Sequence, residues 1–326
     1  MPRVSVLGNG GWGNAIAIQA IRSGNSVTIW GHDTLHLAAC EATRSNAKYL
    51  PDIALPPELS FQADLEKAVA DAEIALIAIP TAHLRSALAP LAKSKLAPIW
   101  LSLTKGMEAQ TLAMPTQIAR ETLDAEEVGV LSGPNIANEV AAGLPASALV
   151  AHSKGAAQVQ AALSSAQFRI YRSSDIVGAE LGGVVKNVIA IAAGIIDGMG
   201  LGDNAKAALL VRGMVELQRL GVAMGASEAT FAGLSGVGDL FVTCTSRFGR
   251  NRGFGERLGK GLSVEAAQDA GGKVVEGYHT ARSIVTLAEK FKVEMPICAA
   301  IHDILYEGVA PRQALNDLMT RDPKAE

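Results

Sequence analysis

Lys186 stands almost alone as a charge in a long apolar stretch. The run Leu181-Gly182-Gly183-Val184-Val185-Lys186-Asn187-Val188-Ile189-Ala190 has only Lys186 and Asn187 as strongly polar residues before Asp197. At helical spacing Lys186 shares a face with Gly182, Gly183, Ala190 and Ala193, a strip of small residues that lets another segment come close. Two readings stay open. A lysine on a buried helix can snorkel to solvent. Held away from water, its ammonium is destabilised, its pKa falls, and it becomes fit to carry a proton near neutral pH.

Other polar residues gather at turns. Lys105 follows the apolar run Ile99-Trp100-Leu101-Ser102-Leu103, and Gly133 and Asn135 follow Leu131-Ser132. Both positions are expected at the carboxyl ends of strands, where ligands bind in a parallel sheet; a solvated lysine and an ordinary turn are the plainer alternatives. Asp239 ends the glycine-rich segment 233–238 and is either a ligand group or a helix cap. Arg247-Phe248-Gly249-Arg250-Asn251-Arg252 puts three arginines in six residues. A guanidinium fork beside an amide suits a phosphate oxygen, and an exposed basic turn is the alternative. The six histidines show no HExxH or paired spacing, so no metal is expected. No GxSxG occurs, and no cysteine has an evident histidine partner.

These residues need a scaffold, and the N-terminus announces one. Val4-Ser5-Val6-Leu7 stops at Gly8-Asn9-Gly10-Gly11-Trp12-Gly13, followed by an amphipathic run from Asn14. Strand, glycine turn and helix in that order, with Gly8, Gly10 and Gly13 in Gly-x-Gly-x-x-Gly spacing, predict a dinucleotide-binding turn. Gly8 allows the tight turn, Gly10 the approach of a pyrophosphate, and Gly13 the close packing of helix on strand. The N–H groups that open the helix would hold the phosphate charge.

Further strands are expected at 26–30, 73–79, 98–103, 128–131, 146–151 and 167–171, with 3–7 the first. Helices are expected at 13–23, 63–70, 81–93, 111–124 and 154–164. This alternation predicts an α/β domain, a Rossmann-type doubly wound parallel sheet over residues 1–179. From 180 to 326 the pattern turns to long Ala/Leu/Val-rich segments (181–197, 203–223, 263–270, 278–291, 297–306), which predicts an all-helical C-terminal domain. That domain would close over the sheet's ligand edge and supply substrate groups.

Composition narrows the classes. The 326 residues suit roughly two domains. With 49% hydrophobic and 19% charged residues a large core is available and disorder is not expected. A net charge of −3 gives no reason to expect nucleic acid or an anionic membrane as partner. Three scattered cysteines fit reduced thiols. Glycines and asparagines interrupt the uncharged stretch 4–21, so neither a targeting segment nor a membrane span is expected there, and the chain reads as soluble and cytoplasmic.

Taken in order, Gly8–Gly13, Thr104-Lys105-Gly106, Ser132-Gly133-Pro134, Val185-Lys186-Asn187-Val188-Ile189-Ala190, Gly236-Val237-Gly238-Asp239-Leu240, Arg250-Asn251-Arg252 and Val274-Val275-Glu276-Gly277 resemble the bacterial NAD(P)-dependent glycerol-3-phosphate dehydrogenase family over nearly the whole chain. The resemblance implies reversible hydride transfer between NAD(P)H and dihydroxyacetone phosphate, giving glycerol 3-phosphate for phospholipid synthesis. It implies that Lys186 is the proton carrier. Lys105, Gly133, Asn135, Lys186, Asp239, Gly249, Arg250 and Asn251 would surround the substrate. Gly8, Gly10, Gly11, Trp12, Gly13, His32, Lys105, Ala137, Arg250, Val274 and Glu276 would hold the cofactor. Two positions depart from the family pattern, which has a serine or threonine where Asn135 stands and a serine where Gly249 stands; Gly249 can offer only its backbone N–H. The resemblance implies use of both NAD and NADP. After the second strand His32 could face an extra ribose phosphate and Asp33 the ribose hydroxyls instead; the reading leans to NADP. A homodimer is implied by resemblance alone. The alternatives are a two-domain hydroxy-acid dehydrogenase, which would need no phosphate clamp, and a non-catalytic NAD(P) sensor, which would need no buried proton carrier.

Overall fold

The computed structural model describes residues 1–94, 96, 98–270 and 275–322. The chain divides into two compact units, residues 1–108 with 113–180, and residues 109–112 with 181 onward.

In the first unit, β-branched and apolar runs form the strands β1 (Arg3–Leu7), β2 (Ser26–Trp30), β3 (Ser45–Asn46), β4 (Leu50–Ala54), β5 (Ser60–Gln62), β6 (Ile74–Ile77), β7 (Ile99–Ser102), β8 (Gly129–Ser132), β9 (Ala146–Ala151) and β10 (Phe168–Ser173). Eight of them make one sheet in the order β10-β9-β8-β7-β6-β1-β2-β5; β3 and β4 form a separate hairpin. Successive side chains reach opposite faces. Val4, Val6, Ile74 and Leu76 pack with Ile16 and Ile18 on one side, while Leu7, Ala75 and Ile77 pack with Leu84, Leu88 and Trp100 on the other. Both faces are therefore covered by helices, as the continuous apolar runs require. The chain winds outward from β1 to β2 and β5, then returns to β6 on the other side of β1. The carboxyl ends of β1 and β6 thus flank the topological switch point where such sheets bind ligands.

The seven expected strands are present within two residues of their expected limits. One pairing refines the parallel sheet: β9 runs antiparallel to β8. The intervening helix Ala137–Ala142 has six residues and spans only about 9 Å. Arg22 holds its last carbonyls, those of Val140 at 3.0 Å and Ala141 at 2.5 Å. The chain is not carried back to the start of β8, so β9 begins where β8 ends. Strand β5, the β3–β4 hairpin and the helices Thr34–Thr43 and Ala137–Ala142 are further elements beyond those expected. All are short; β5 pairs with β2 some thirty residues earlier, and Ala137–Ala142 packs on the first helix, so local sequence does not mark them.

The second unit is helical, as expected: Ile176–Gly198, Gly202–Ala223, Glu228–Phe231, Asp239–Thr245, Arg250–Gly259, Val264–Asp269, Glu276–Phe291, Pro296–Tyr306 and Pro311–Met319. Helix Ile176–Gly198 is long and apolar enough to cross a membrane, but its apolar stretch is buried inside the protein. It packs against Arg250–Gly259 with almost no side chains between the two backbones. A Cβ at Gly194 would overlap the carbonyl of Arg252, and one at Gly198 that of Glu256. Reciprocally, a Cβ at Gly255 would overlap the carbonyl of Ile191, and one at Gly259 that of Ile195. Because both partners at each contact are backbone, neither can rotate away. We expect Gly255→Ala to lower stability by about 1–3 kcal/mol, the usual cost of overpacking. Thermal unfolding checks this, and an unchanged Tm would show that the helices tolerate separation.

A buried carboxylate organises another corner. Glu216 accepts backbone N–H bonds from Ile297 at 2.6 Å and Cys298 at 3.1 Å, capping helix Pro296–Tyr306 from outside its own sequence. Burial outweighs these bonds and pushes the carboxyl from 4.5 up to about 7. Between those values the native state holds a proton that the unfolded chain has released. Stability therefore falls as pH rises through that window and stays lower by about 3 kcal/mol above it. In Glu216→Gln the loss of Tm between about pH 5 and pH 7.5 should shrink. An equal loss in both proteins would mean that Glu216 does not take up this proton.

Candidate functional site

In the first unit the ligand edge is assembled from loops that follow β1, β2, β6, β7 and β8. Gly8 leaves β1 at φ +131°, a region open to glycine, and a Cβ there would collide with the Ala78 carbonyl just beyond β6. A Cβ on Gly13 would overlap the Gly8 carbonyl, so the helix Gly11–Arg22 seats directly on the turn. At Gly10, by contrast, a Cβ would meet nothing within 4 Å. The helix starts with no side-chain cap and no acidic residue in its first turn. Uncovered N–H groups at the positive end of a twelve-residue helix form an anion site. Asparagines hold this turn in place: Asn14 Nδ2 donates to Asn9 Oδ1 at 2.8 Å and to the Gly10 carbonyl at 2.9 Å. Asn46 Nδ2, from the β3–β4 hairpin, donates to the Asn9 carbonyl at 3.1 Å. The residues present fit a dinucleotide pyrophosphate.

Around this turn, Trp12 is half-buried in the first turn of the helix, and Gly11 lies beneath the Tyr49 carbonyl. His32 is exposed beyond the end of β2. Beside it Asp33, the candidate ribose ligand, caps helix Thr34–Thr43 by accepting the His36 N–H at 3.0 Å. Ala137 opens its short helix. The ends of β6, β7 and β8 are tied together. Thr104 Oγ1 donates to the Ile79 carbonyl at 2.7 Å, and Lys105 Nζ donates to the Gly133 carbonyl at 3.1 Å. Asn135 sends its amide nitrogen to the Ser147 carbonyl at 3.0 Å, so that part of its side chain serves the turn.

In the second unit Lys186 is 7% exposed, and its Nζ donates to Asp239 Oδ1 at 2.6 Å and Thr243 Oγ1 at 2.7 Å. Asp239 is the first residue of helix Asp239–Thr245, directly after a π-helical turn, Leu234–Gly238. Gly182 makes this seat possible, since a Cβ there would overlap the Ser235 carbonyl. A buried ammonium is tolerated when a carboxylate and a hydrogen-bonding oxygen meet it. Snorkelling is thereby excluded: the lysine points at fixed partners. Thr243, one helical turn after Asp239, was not singled out in the sequence. Its i, i+4 spacing from Asp239 is the signal that puts both on one side of the helix.

The arginine segment divides its labour. Arg250 is exposed in the first turn of helix Arg250–Gly259, which has Gly249 as N-cap and no side-chain cap. Arg252 turns away to pair with Asp197 at 2.6 Å and Glu256 at 3.5 Å. Gly249 and Asn251, both expected beside the substrate, each have partners within the protein. The Gly249 N–H, its only donor, goes to the Ser246 carbonyl at 3.1 Å. Asn251 is buried; its Nδ2 donates to Asn187 Oδ1 at 2.9 Å and its Oδ1 accepts the Gly277 N–H at 3.0 Å. Asn251 is thus a strut between three helices. Glu276 opens the third of them, Glu276–Phe291. Val274 lies outside the described residues.

Comparison with known proteins now adds to this geometry. The sequence profile of the NAD-dependent glycerol-3-phosphate dehydrogenase N-terminus matches residues 3–158, and that of the C-terminus matches residues 175–316. A Shewanella amazonensis protein named glycerol-3-phosphate dehydrogenase (NAD(P)+) is 44% identical, covering 99% of this chain and 97% of its own. One of the same name from Thermoanaerobacter sp. is 45% identical over 99% and 98%. The crystal structure of glycerol-3-phosphate dehydrogenase from Coxiella burnetii superposes with a TM-score of 0.91 at 35% identity, covering 98% of this chain and 99% of that one.

Proposed function

The chain belongs to the NAD-dependent glycerol-3-phosphate dehydrogenase family, and from that premise we propose that it reduces dihydroxyacetone phosphate reversibly to glycerol 3-phosphate with Lys186 as its proton carrier. The observation that carries this reading is the buried Lys186–Asp239 pair, 2.6 Å long and braced by Thr243.

Bound NADH or NADPH supplies the hydride, and its pyrophosphate would be held by the turn Gly8–Gly13. As the ketone is reduced, negative charge builds on its C2 oxygen. The Lys186 ammonium stabilises that charge and then donates its proton to the oxygen; in reverse the neutral amine withdraws it. Asp239 balances the ammonium before the proton moves and fixes its direction. Arg250 and the N-terminus of its helix bind the phosphate, whose remote binding energy orients the carbonyl. Lys105, Gly133 and Asn135 border the substrate, with Gly133 and Asn135 acting through loop shape and Asn251 through the position of Arg250. Trp12, His32, Ala137 and Glu276 border the cofactor. Family membership supports a cytoplasmic homodimer that feeds phospholipid synthesis. A hydroxy-acid substrate is disfavoured by the cationic helix start at Arg250, and a sensor role by the buried proton carrier.

Oxidation of NADH and NADPH, each followed with dihydroxyacetone phosphate and with dihydroxyacetone, tests the reading. Turnover of only the phosphorylated ketone is expected, and its absence would sink the proposal. Lys186→Met should lower kcat by at least about 100-fold while NADPH fluorescence reports unchanged binding. Arg250→Ala should chiefly raise KM for the phosphorylated ketone, by roughly tenfold or more. Near-normal kcat in the lysine variant would refute the role given to Lys186.

A further inference from the structure

An anion meets donors at the glycine turn only if the turn's carbonyls are engaged elsewhere. The Gly10 carbonyl accepts the Asn14 N–H at 3.0 Å and Asn14 Nδ2 at 2.9 Å. The Asn9 carbonyl accepts Asn46 Nδ2 at 3.1 Å, and Asn46 is fully buried on the β3–β4 hairpin. The orientation of that amide is fixed from its other end, because Asn46 Oδ1 accepts the Tyr49 N–H at 3.2 Å. Its nitrogen therefore faces the turn, where it also lies 3.4 Å from Asn9 Oδ1.

The Asn9–Gly10 peptide is trans, so its carbonyl and its N–H point in opposite directions. With the carbonyl held against the hairpin, the Gly10 N–H is turned away from it. The hairpin meets the turn again on the other side of Gly10, since a Cβ on Gly11 would lie 2.6 Å from the Tyr49 carbonyl oxygen. Both neighbours of Gly10 are thus braced by one element, while a Cβ on Gly10 itself would meet nothing within 4 Å. Gly10 is the glycine whose bareness lets a pyrophosphate approach. Freed from Asn46, the peptide before it could rotate and bring a carbonyl dipole toward the phosphate charge.

We infer that Asn46 is a positioning residue for the dinucleotide. Acting through the Asn9 carbonyl, it fixes the peptide before Gly10 and makes the β3–β4 hairpin part of the pyrophosphate site. The inference rests on the dinucleotide reading of the glycine turn and requires no assumption about the ketone.

Fluorescence titration of the full-length protein with NADH and with NADPH tests it without turnover. Two variants are compared: Asn46→Ala, and the isosteric Asn46→Asp, which keeps the acceptor for Tyr49 and loses the donor. Both should weaken the two nucleotides alike, by roughly tenfold. In turnover with dihydroxyacetone phosphate, KM for either nucleotide should rise to match, with kcat at saturating nucleotide within about twofold of the parent. A purely structural asparagine would lower Tm and leave the affinity of the folded protein unchanged. That result, at a temperature where circular dichroism shows each variant folded, would overturn the inference. A kcat that falls as far as the affinity would overturn it too. A parent protein that binds neither nucleotide would overturn the dinucleotide reading itself, whereas equal binding by parent and variants removes only the role of Asn46.

Discussion

The bare-backbone contact between helices Ile176–Gly198 and Arg250–Gly259 is the constraint on which the second unit depends. Each glycine inside a helix costs about 1 kcal/mol relative to alanine. Gly194 and Gly255 impose that cost, and together with the terminal Gly198 and Gly259 they stand where carbonyls of the opposite helix occupy the space of a side chain. What the unit gains is distance. Only at this separation can the short amide of Asn251 reach Asn187, the neighbour of Lys186, at 2.9 Å. Gly277 continues the pattern, because a Cβ there would crowd the Asn187 carbonyl and Asn251 Oδ1. The helix that carries the lysine is therefore the axle against which the Arg250 helix and the Glu276–Phe291 helix are indexed.

The buried acids show how the fold distinguishes structural from chemical charge. Glu180 accepts two bonds from Thr116 and is pushed up to about 7 by burial, much as Glu216 is in capping Pro296–Tyr306. Each meets neutral donors. Asp239 is equally buried but meets an ammonium at 2.6 Å. An apolar pair would serve stability as well or better, since desolvating two charges costs several kcal/mol per ion. A lysine and aspartate kept there together make sense for a reaction that develops charge beside them.

Much of this was legible in the chain. The strands β1 and β2 match their expected limits because buried parallel strands need β-branched and apolar runs, and Lys186 declared itself by isolation. What stayed hidden depends on tertiary contact. Helix Arg250–Gly259 carries three interior or terminal glycines that read as a loop, and the opposite backbone explains two of them, Gly255 and Gly259. Asn46 reaches a partner on another element, so no local period marks it, and the i, i+4 spacing of Thr243 from Asp239 gains meaning only once Lys186 is brought between them. Gly249 and Asn251 have suitable chemistry in sequence, and only the fold shows that the Gly249 N–H is engaged with the Ser246 carbonyl and one Asn251 amide N–H with Asn187.

The Arg250 helix also departs from a rule of local stability. Acidic residues favour the first turn of a helix and basic ones the last. Glu276 obeys this in its helix, as do Glu139 and Glu265 in theirs. Arg250 and Arg252 stand at the positive end of Arg250–Gly259, with no acid in that turn. The misfit at Arg252 is offset inside the protein by Asp197 and Glu256. Arg250 is exposed and adds a guanidinium to a helix start that is already positive. Local rules fail where function outweighs stability. A helix start that is cationic both in its backbone and in its side chains is the reverse of what local stability favours, and it suits an anionic ligand.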